Sequence, residues 1–225
     1  GYTWGLGTTT THALAPILNP RLGYDPVRDF APVALLGESP YFLTTNPALP
    51  ASNVREFIAY ARANPGKVSY ASVGNFSVGH LAGELLKKAG GFEMVHVPYK
   101  GSNLALIDLL AGRIQLNIST IAASLPHVKA GKLRALAVTS PKRAQILPDV
   151  PTMAEAGYTG QESDTIQALL APAGTAPAII KRLYDESASA LARSEIRERI
   201  LPLGYEILAS RPAELSAHIK AEVAK

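Results

Sequence analysis

The stretch that decides the fold is residues 67–90, KVSYASVGNFSVGHLAGELLKKAG. Residues 68–71 are a short β-prone run, 72–77 a small-residue loop interrupted only by Phe76, and Ser77 stands where a helix N-cap belongs. Val78, Leu81, Ala82, Leu85, Leu86 and Ala89 then recur along one helical face, and Gly90 follows as a C-terminal stop. The stretch therefore predicts strand, tight loop, helix. Such a helix start leaves backbone N–H groups unpaired and directs positive partial charge outward, which suits a phosphate or carboxylate. The same residues also make an ordinary βα turn that binds nothing.

Three sharper motifs fail here. Gly74 and Gly79 have P-loop spacing, but His80 and Leu81 stand where Lys and Ser/Thr must hold phosphate and magnesium. Gly74 lies three residues before Ser77 rather than two, so there is no nucleophile elbow. The dinucleotide fingerprint G-x-G-x-x-G is absent.

The 225 residues suffice for one large domain or two small ones, and 47% hydrophobic with 18% charged residues is an ordinary globular composition. No apolar run of spanning length escapes interruption by Pro or Gly, so a membrane-spanning helix is not expected. There is no cysteine, hence no disulfide and no thiolate metal site. The net charge of +4 favours anionic ligands slightly. Its Lys and Arg residues are scattered rather than clustered, which argues against nucleic acid. The chain opens at Gly1 without Met and closes at Lys225 inside a helical pattern, as expected of a piece of a longer polypeptide.

In order, residues 2–7 read as a strand, 8–12 as a polar Thr-rich loop and 13–18 as a short helix. Two strands, 31–38 and 41–45, flank a break at Pro40. Asn53 and Glu56 form a capping box that opens a helix ended by Asn64, Pro65 and Gly66. Beyond the central stretch come a strand at 94–97, a helix capped by Ser102, a strand at 114–118, a turn begun by Ser119 and Thr120, a helix to Gly131 and a strand at 133–139. Thr152 and Glu155 make a second capping box on a short helix stopped at Gly157. A strand at 165–171, a long helix from Pro177 to about Arg193, a short helix, a strand near 205–208 and a helix after Pro212 complete the pattern. Strands alternating with helices imply parallel pairing and an α/β fold. In such sheets ligands sit beyond the carboxyl ends of the strands, which selects residues 8–12, 72–77, 98–102 and Ser119 with Thr120.

Longer runs make the pattern specific. YDPVRDFAPV at 24–33, SYASVGNFSVGHLAGELLKKAG, HVPYKGS at 96–102, LIDLLAG, PHVKAGKLRALAVTS at 126–140, LPDVPTMAEAGY and LLAPAGTAP at 169–177 resemble, in order, the receptors of the tripartite tricarboxylate transporter family, also called Bug-type solute-binding proteins. The resemblance implies an extracytoplasmic, periplasmic binding protein of the type II two-lobed α/β fold. The lobes would close on a small organic acid, handed to membrane transporter subunits, with no catalysis, cofactor or metal. It implies a first lobe made of residues 1–45 and 165–225 and a second, continuous lobe of residues 46–164. Crossing strands near 41–45 and 166–170 would form the hinge. Family members begin with a further strand, loop and helix, so the first unit of lobe 1 is expected to be missing, leaving an exposed sheet edge prone to association. The chain departs from the family pattern in three places: Phe76 replaces a second loop glycine, Ser119 and Thr120 replace an Asp-Asn pair, and Ile166 and Gln167 replace an aromatic residue.

The candidate ligand-binding set is Thr8, Thr10, His12, Ser72, Gly74, Asn75, Phe76, Ser77, Tyr99, Ser119, Thr120 and Asp164. His12 and His80 also read as satisfied structural residues, and His96, His127 and His218 lack metal-ligand spacing. Two other classes compete with the receptor reading. An effector-sensing domain of a transcription regulator would carry a basic helix-turn-helix, and an enzyme would show paired acid/base or nucleophilic groups. Neither signature appears in the sequence.

Overall fold

Residues 67–90 fold as strand, loop and helix: β3 (Ser69–Ser72) leads through the loop to α3 (Val78–Gly90), with Ser77 Oγ accepting the His80 N–H at 3.3 Å as an N-cap does. This is a computed structural model, and it describes residues 3–224. Tyr2, the first residue of the expected opening strand, and Lys225, the last of the final helical pattern, lie outside the described residues. The chain divides into two compact units, one of residues up to Ser39 together with those from Thr165 on, the other Pro40–Asp164.

The sheet of the Pro40–Asp164 unit is mixed. The latter part of β2 (Phe30–Thr45) pairs antiparallel with β5 (Leu116–Thr120) and β6 (Arg134–Val138), whereas β3 pairs parallel with both β5 and β4 (Val95–Pro98). Parallel pairing holds for the three strands that each feed a helix; the antiparallel pairs belong to β2, which enters from the other unit. The helices are α2 (Val54–Ala63), α3, α4 (Ser102–Leu110) and α5 (Ile121–Lys129). Ala71, Ala105, Leu106, Leu109, Ile114 and Leu133 form one core cluster, and Phe42, Ile121, Leu125 and Val138 another. Each fully buried Leu or Phe contributes about 1.5–3 kcal/mol. The buried Thr139 hydroxyl shares its hydrogen between the carbonyls of Tyr41 (2.9 Å) and Ser163 (2.6 Å).

In the other unit, β1 (Gly5–Gly7) pairs antiparallel with β7 (Asp164–Pro172), β7 adjoins β2, and the first part of β2 pairs antiparallel with β8 (Glu206–Ser210). A π-helical turn, Thr10–Leu14, runs into α1 (Ala15–Leu18). The long helix α6 (Pro177–Ala192), α7 (Ser194–Ile200) and α8 (Pro212–Ala224) follow the late part of the pattern. Leu35, Ile166, Ala168, Leu170, Leu215 and Ile219 make its principal core cluster.

Several local expectations are corrected. Pro40 does not break the chain into two strands; β2 is one strand, because its ladder to β8 ends at Glu38 and its ladder to β5 begins at Tyr41. Residues 8–12 are not a loop, since the chain is already helical from Thr9. Thr8 and Thr11 bond reciprocally, Thr8 N–H to Thr11 Oγ1 (2.9 Å) and Thr11 N–H to Thr8 Oγ1 (3.4 Å), a cap without the usual acidic residue. The left-handed residue after α3 is Gly91 (φ 59°), one beyond Gly90. Gly101, not Ser102, caps α4, and Ser119 with Thr120 end β5 rather than begin a turn. Thr152 and Glu155 do form their reciprocal box (2.8 and 3.1 Å), but on a turn that Gly157 (φ 95°) stops before a helix forms.

Candidate functional site

Because β3, β4 and β5 run parallel, their carboxyl ends share one edge of the sheet, and each strand delivers a helix start there. Ser77 caps α3, Gly101 caps α4 and Thr120 caps α5. Neither Gly101 nor Thr120 supplies a side-chain cap, so the first N–H groups of α4 and α5 keep their donors. A surface depression joins these two starts, lined by Lys100, Gly101, Ser102, Asn103 and Thr120 among others. Three positive helix ends and a lysine make this edge attractive to anions.

The 72–77 loop is shaped by its own hydroxyls. Ser72 Oγ lies 2.9 Å from the Gly74 carbonyl, accepts the Gly74 N–H at 3.2 Å, and meets His96 Nε2 at 2.7 Å. Ser77 Oγ donates to the same carbonyl at 2.7 Å. Both serines are buried, and both therefore brace the loop instead of pointing donors outward. Gly74 has φ 136°, which only glycine takes without strain, and lets the chain turn between them. Asn75 and Phe76 are exposed. Phe76 is 49% exposed and left-handed at φ 61°, so it is not a core residue; its N–H donates to His80 Nδ1 at 3.1 Å. The N–H groups of Val78 and Gly79, both buried residues, stand ahead of the first intrahelical bond, from Leu81 N–H to the Ser77 carbonyl at 3.0 Å.

The remaining candidates are dispersed. Tyr99 donates its hydroxyl to Asp108 Oδ2 at 2.7 Å, and burial together with that bond pushes its phenol up to about 12. Tyr99 and Arg113 hold the Asp108 carboxyl below the usual range. Ser119 is buried and accepts from the Asn117 amide at 2.9 Å, while Thr120 is half-buried at the edge itself. In the other unit Thr8 and Thr10 are half-buried at the start of the first helical turn. His12 is buried there, with Nδ1 2.9 Å from Thr11 Oγ1 and Phe30 packed edge-on at 4.9 Å. Burial lowers its pKa, and its ring together with Leu170 leaves no room for a Cβ at Gly7. Asp164 is half-buried at the first residue of β7. Sequence reasoning passed over the contact between His80 and His96, whose rings stack at 4.0 Å. Sixteen residues separate them, and only the parallel register of β3 with β4 brings them together. Among the described residues no group of three or more His, Asp or Glu side chains is placed to hold a metal ion, and no helix is long and apolar enough to cross a membrane.

Comparison with known proteins agrees with this architecture. The chain is 37% identical over 204 residues to the UPF0065 protein in the tcbD-tcbE intergenic region of Pseudomonas sp. (strain P51), an alignment covering 90% of this chain and 61% of the relative. It thus spans about three fifths of that curated relative. Among solved structures it is similar to R. palustris Rpa4515 with adipate (TM-score 0.93, 38% identity, 100% of this chain and 75% of that chain). It is also similar to the periplasmic binding protein BugD (TM-score 0.92, 33% identity, 99% and 75%). The family model described as tripartite tricarboxylate transporter family receptor matches residues 1–225, and the chain belongs to that family of Bug-type solute-binding proteins, with their mixed α/β fold.

Proposed function

We propose that this protein is a periplasmic receptor that captures a small organic acid and passes it to membrane transporter subunits, without chemical change of the ligand. The observation that carries the reading is the gathering of three helix N-termini, two of them without side-chain caps, at the carboxyl edge of the parallel β5-β3-β4 ladder. Charge-assisted hydrogen bonds from such amides contribute about 1.5–3 kcal/mol each, enough to orient a carboxylate without an arginine. The similarity to a structure holding adipate supports a carboxylate as the bound group. In this reading Ser72, Gly74 and Ser77 set the loop, Val78 and Gly79 donate, Asn75 and Phe76 border the ligand, and Thr120 lies beside a carboxylate. Tyr99 and Ser119 act from behind the edge. Thr8, Thr10, His12 and Asp164 are the other unit's candidates.

Calorimetry with adipate, succinate and benzoate tests the reading, using Thr120→Asp as the diagnostic variant. Asp is a preferred N-cap, so α5 survives, while its charge opposes the ligand. At least tenfold weaker binding, about 1.4 kcal/mol, is expected. Unchanged affinity in the folded variant places the ligand elsewhere, and no binding by the parent rejects the carboxylate reading.

A further inference from the structure

Residues 8–11 carry four consecutive threonine hydroxyls, and three of them are engaged within the chain. Thr8 and Thr11 bond to each other's backbone N–H, Thr11 Oγ1 also meets His12 Nδ1 at 2.9 Å, and Thr9 Oγ1 accepts the Ile166 N–H at 3.1 Å. Thr10 alone, half-buried, keeps a hydroxyl without a partner among the described residues. The direction of that side chain depends on the turn it begins. Residues 10–14 are π-helical, the Ala15 N–H reaching back to the Thr10 carbonyl instead of the Thr11 carbonyl that an α turn uses. Pro16 has no N–H to give, so the residue after Ala15 reinforces neither register. The Thr11 carbonyl is taken by the Tyr24 hydroxyl at 2.6 Å.

Tyr24 is itself firmly held. Its ring meets Phe30 edge-on at 5.6 Å, and Phe30 meets His12 in the same way at 4.9 Å. The backbone between the two aromatic residues is closed on itself. Asp29 Oδ2 accepts the Asp25 N–H at 2.7 Å, and Asp25 Oδ1 accepts the N–H groups of Val27 and Arg28 at 2.9 and 2.8 Å. Arg28 Nε donates to Asp29 Oδ1 at 2.8 Å. Residues 24–30 are therefore a braced strut that offers the turn one phenolic hydroxyl. Without that hydroxyl the Thr11 carbonyl is open to the Ala15 N–H, and the turn is free to tighten from π to α. Such a change of register rotates the threonines by roughly 100° relative to α1.

We propose that Tyr24 is a positioning residue for ligand capture: its bond to the Thr11 carbonyl holds residues 10–14 in the π register and so sets the Thr10 hydroxyl for a carboxylate oxygen. The inference rests on the reading of this protein as a receptor for organic acids with Thr10 among its contacts. It gives the YDPVRDF run at 24–30 a role that its distance in sequence from Thr10 conceals.

Calorimetry with adipate, succinate and benzoate, beside urea unfolding of each variant, tests it. Thr10→Val should weaken binding about tenfold and Tyr24→Phe about three- to tenfold. Because Tyr24 acts through Thr10, the double variant should bind no more weakly than Thr10→Val alone. The hydrogen-bond coupling measured by NMR from the Ala15 amide reads the register without ligand: to the Thr10 carbonyl in the parent, to the Thr11 carbonyl in Tyr24→Phe. Tyr24→Phe that keeps the Thr10 coupling, lowers the unfolding midpoint with Kd unchanged, or adds its full loss to that of Thr10→Val overturns this inference and leaves the carboxylate reading standing. Unchanged binding in Thr10→Val does the same. No binding of any of the three acids by the parent removes the carboxylate reading and this inference with it.

Discussion

Phe76 holds a left-handed backbone at φ 61° with its ring half in solvent. That conformation costs a non-glycine residue about 1–2 kcal/mol, partly offset by glycine's greater entropy when unfolded. Phe76→Gly should therefore leave stability unchanged or raise it by up to about 1 kcal/mol in urea unfolding, whereas a core phenylalanine would cost about 3–5 kcal/mol. His96 gives a pH signature. Its folded pKa of about 4 lies below the ordinary 6.5, so the unfolded chain takes up the proton first as the pH falls. Stability contributed by neutral His96 is full above about pH 6.5 and is lost progressively down to about pH 4. Denaturation midpoints at pH 7 and pH 5 should differ more in the parent than in His96→Gln. Residue types located the helix cap, since Ser77 does cap α3. They misdirected the loop's hydroxyls, because the turn at Gly74 leaves a carbonyl that both Ser72 and Ser77 satisfy.

The helix α3 shows why apolar periodicity locates an element better than its buried face. The pattern marks Val78, Ala82 and Leu86, which are buried, together with Leu81 and Leu85, which are half-buried, and Ala89, which is exposed. The most closely packed positions are glycines. A Cβ on Gly79 would collide with the Ile118 carbonyl, and one on Gly83 with the Tyr70 ring. Hydrophobicity gives glycine no weight, so the glycine part of the buried face is not visible in the sequence. Gly79→Ala should destabilise the protein by about 1–3 kcal/mol despite alanine's roughly 1 kcal/mol advantage in helix propensity, because the obstacle is backbone. Chemical denaturation checks the sign: a stabilised variant would mean that the helix can move away from β5. The uncertain points of the pattern were ends and joints. Gly91 rather than Gly90 follows α3 and Gly101 rather than Ser102 caps α4, each a shift of one position, while β2 runs on through Pro40.

Across the molecule, burial is uneven. Among the described residues, of the twelve largest fully buried side chains only Leu215 lies outside the Pro40–Asp164 unit, and α6 and α7 contain no buried residue. Trp4 and Leu6 on β1 are 57% and 60% exposed. Hydrogen exchange should therefore find the slowest amides in β3, β5 and β6, with α6 and α7 exchanging by local opening. Equal protection in both units would contradict this. The strand and helix alternation was legible because each element carries its own period; the mixed pairing was not, since direction depends on where β2 enters.

That strand also dictates an order of events. The first part of β2 leaves the ribosome before the Pro40–Asp164 unit, yet β7, its neighbour in the sheet, emerges only after it. The bond from Ile166 N–H to Thr9 Oγ1 closes across 157 residues. Local pairings such as β3 with β4 form early, whereas a closure of that length forms late. The continuous unit should fold first during synthesis while the early segment waits unpaired, its apolar strand open to chaperones.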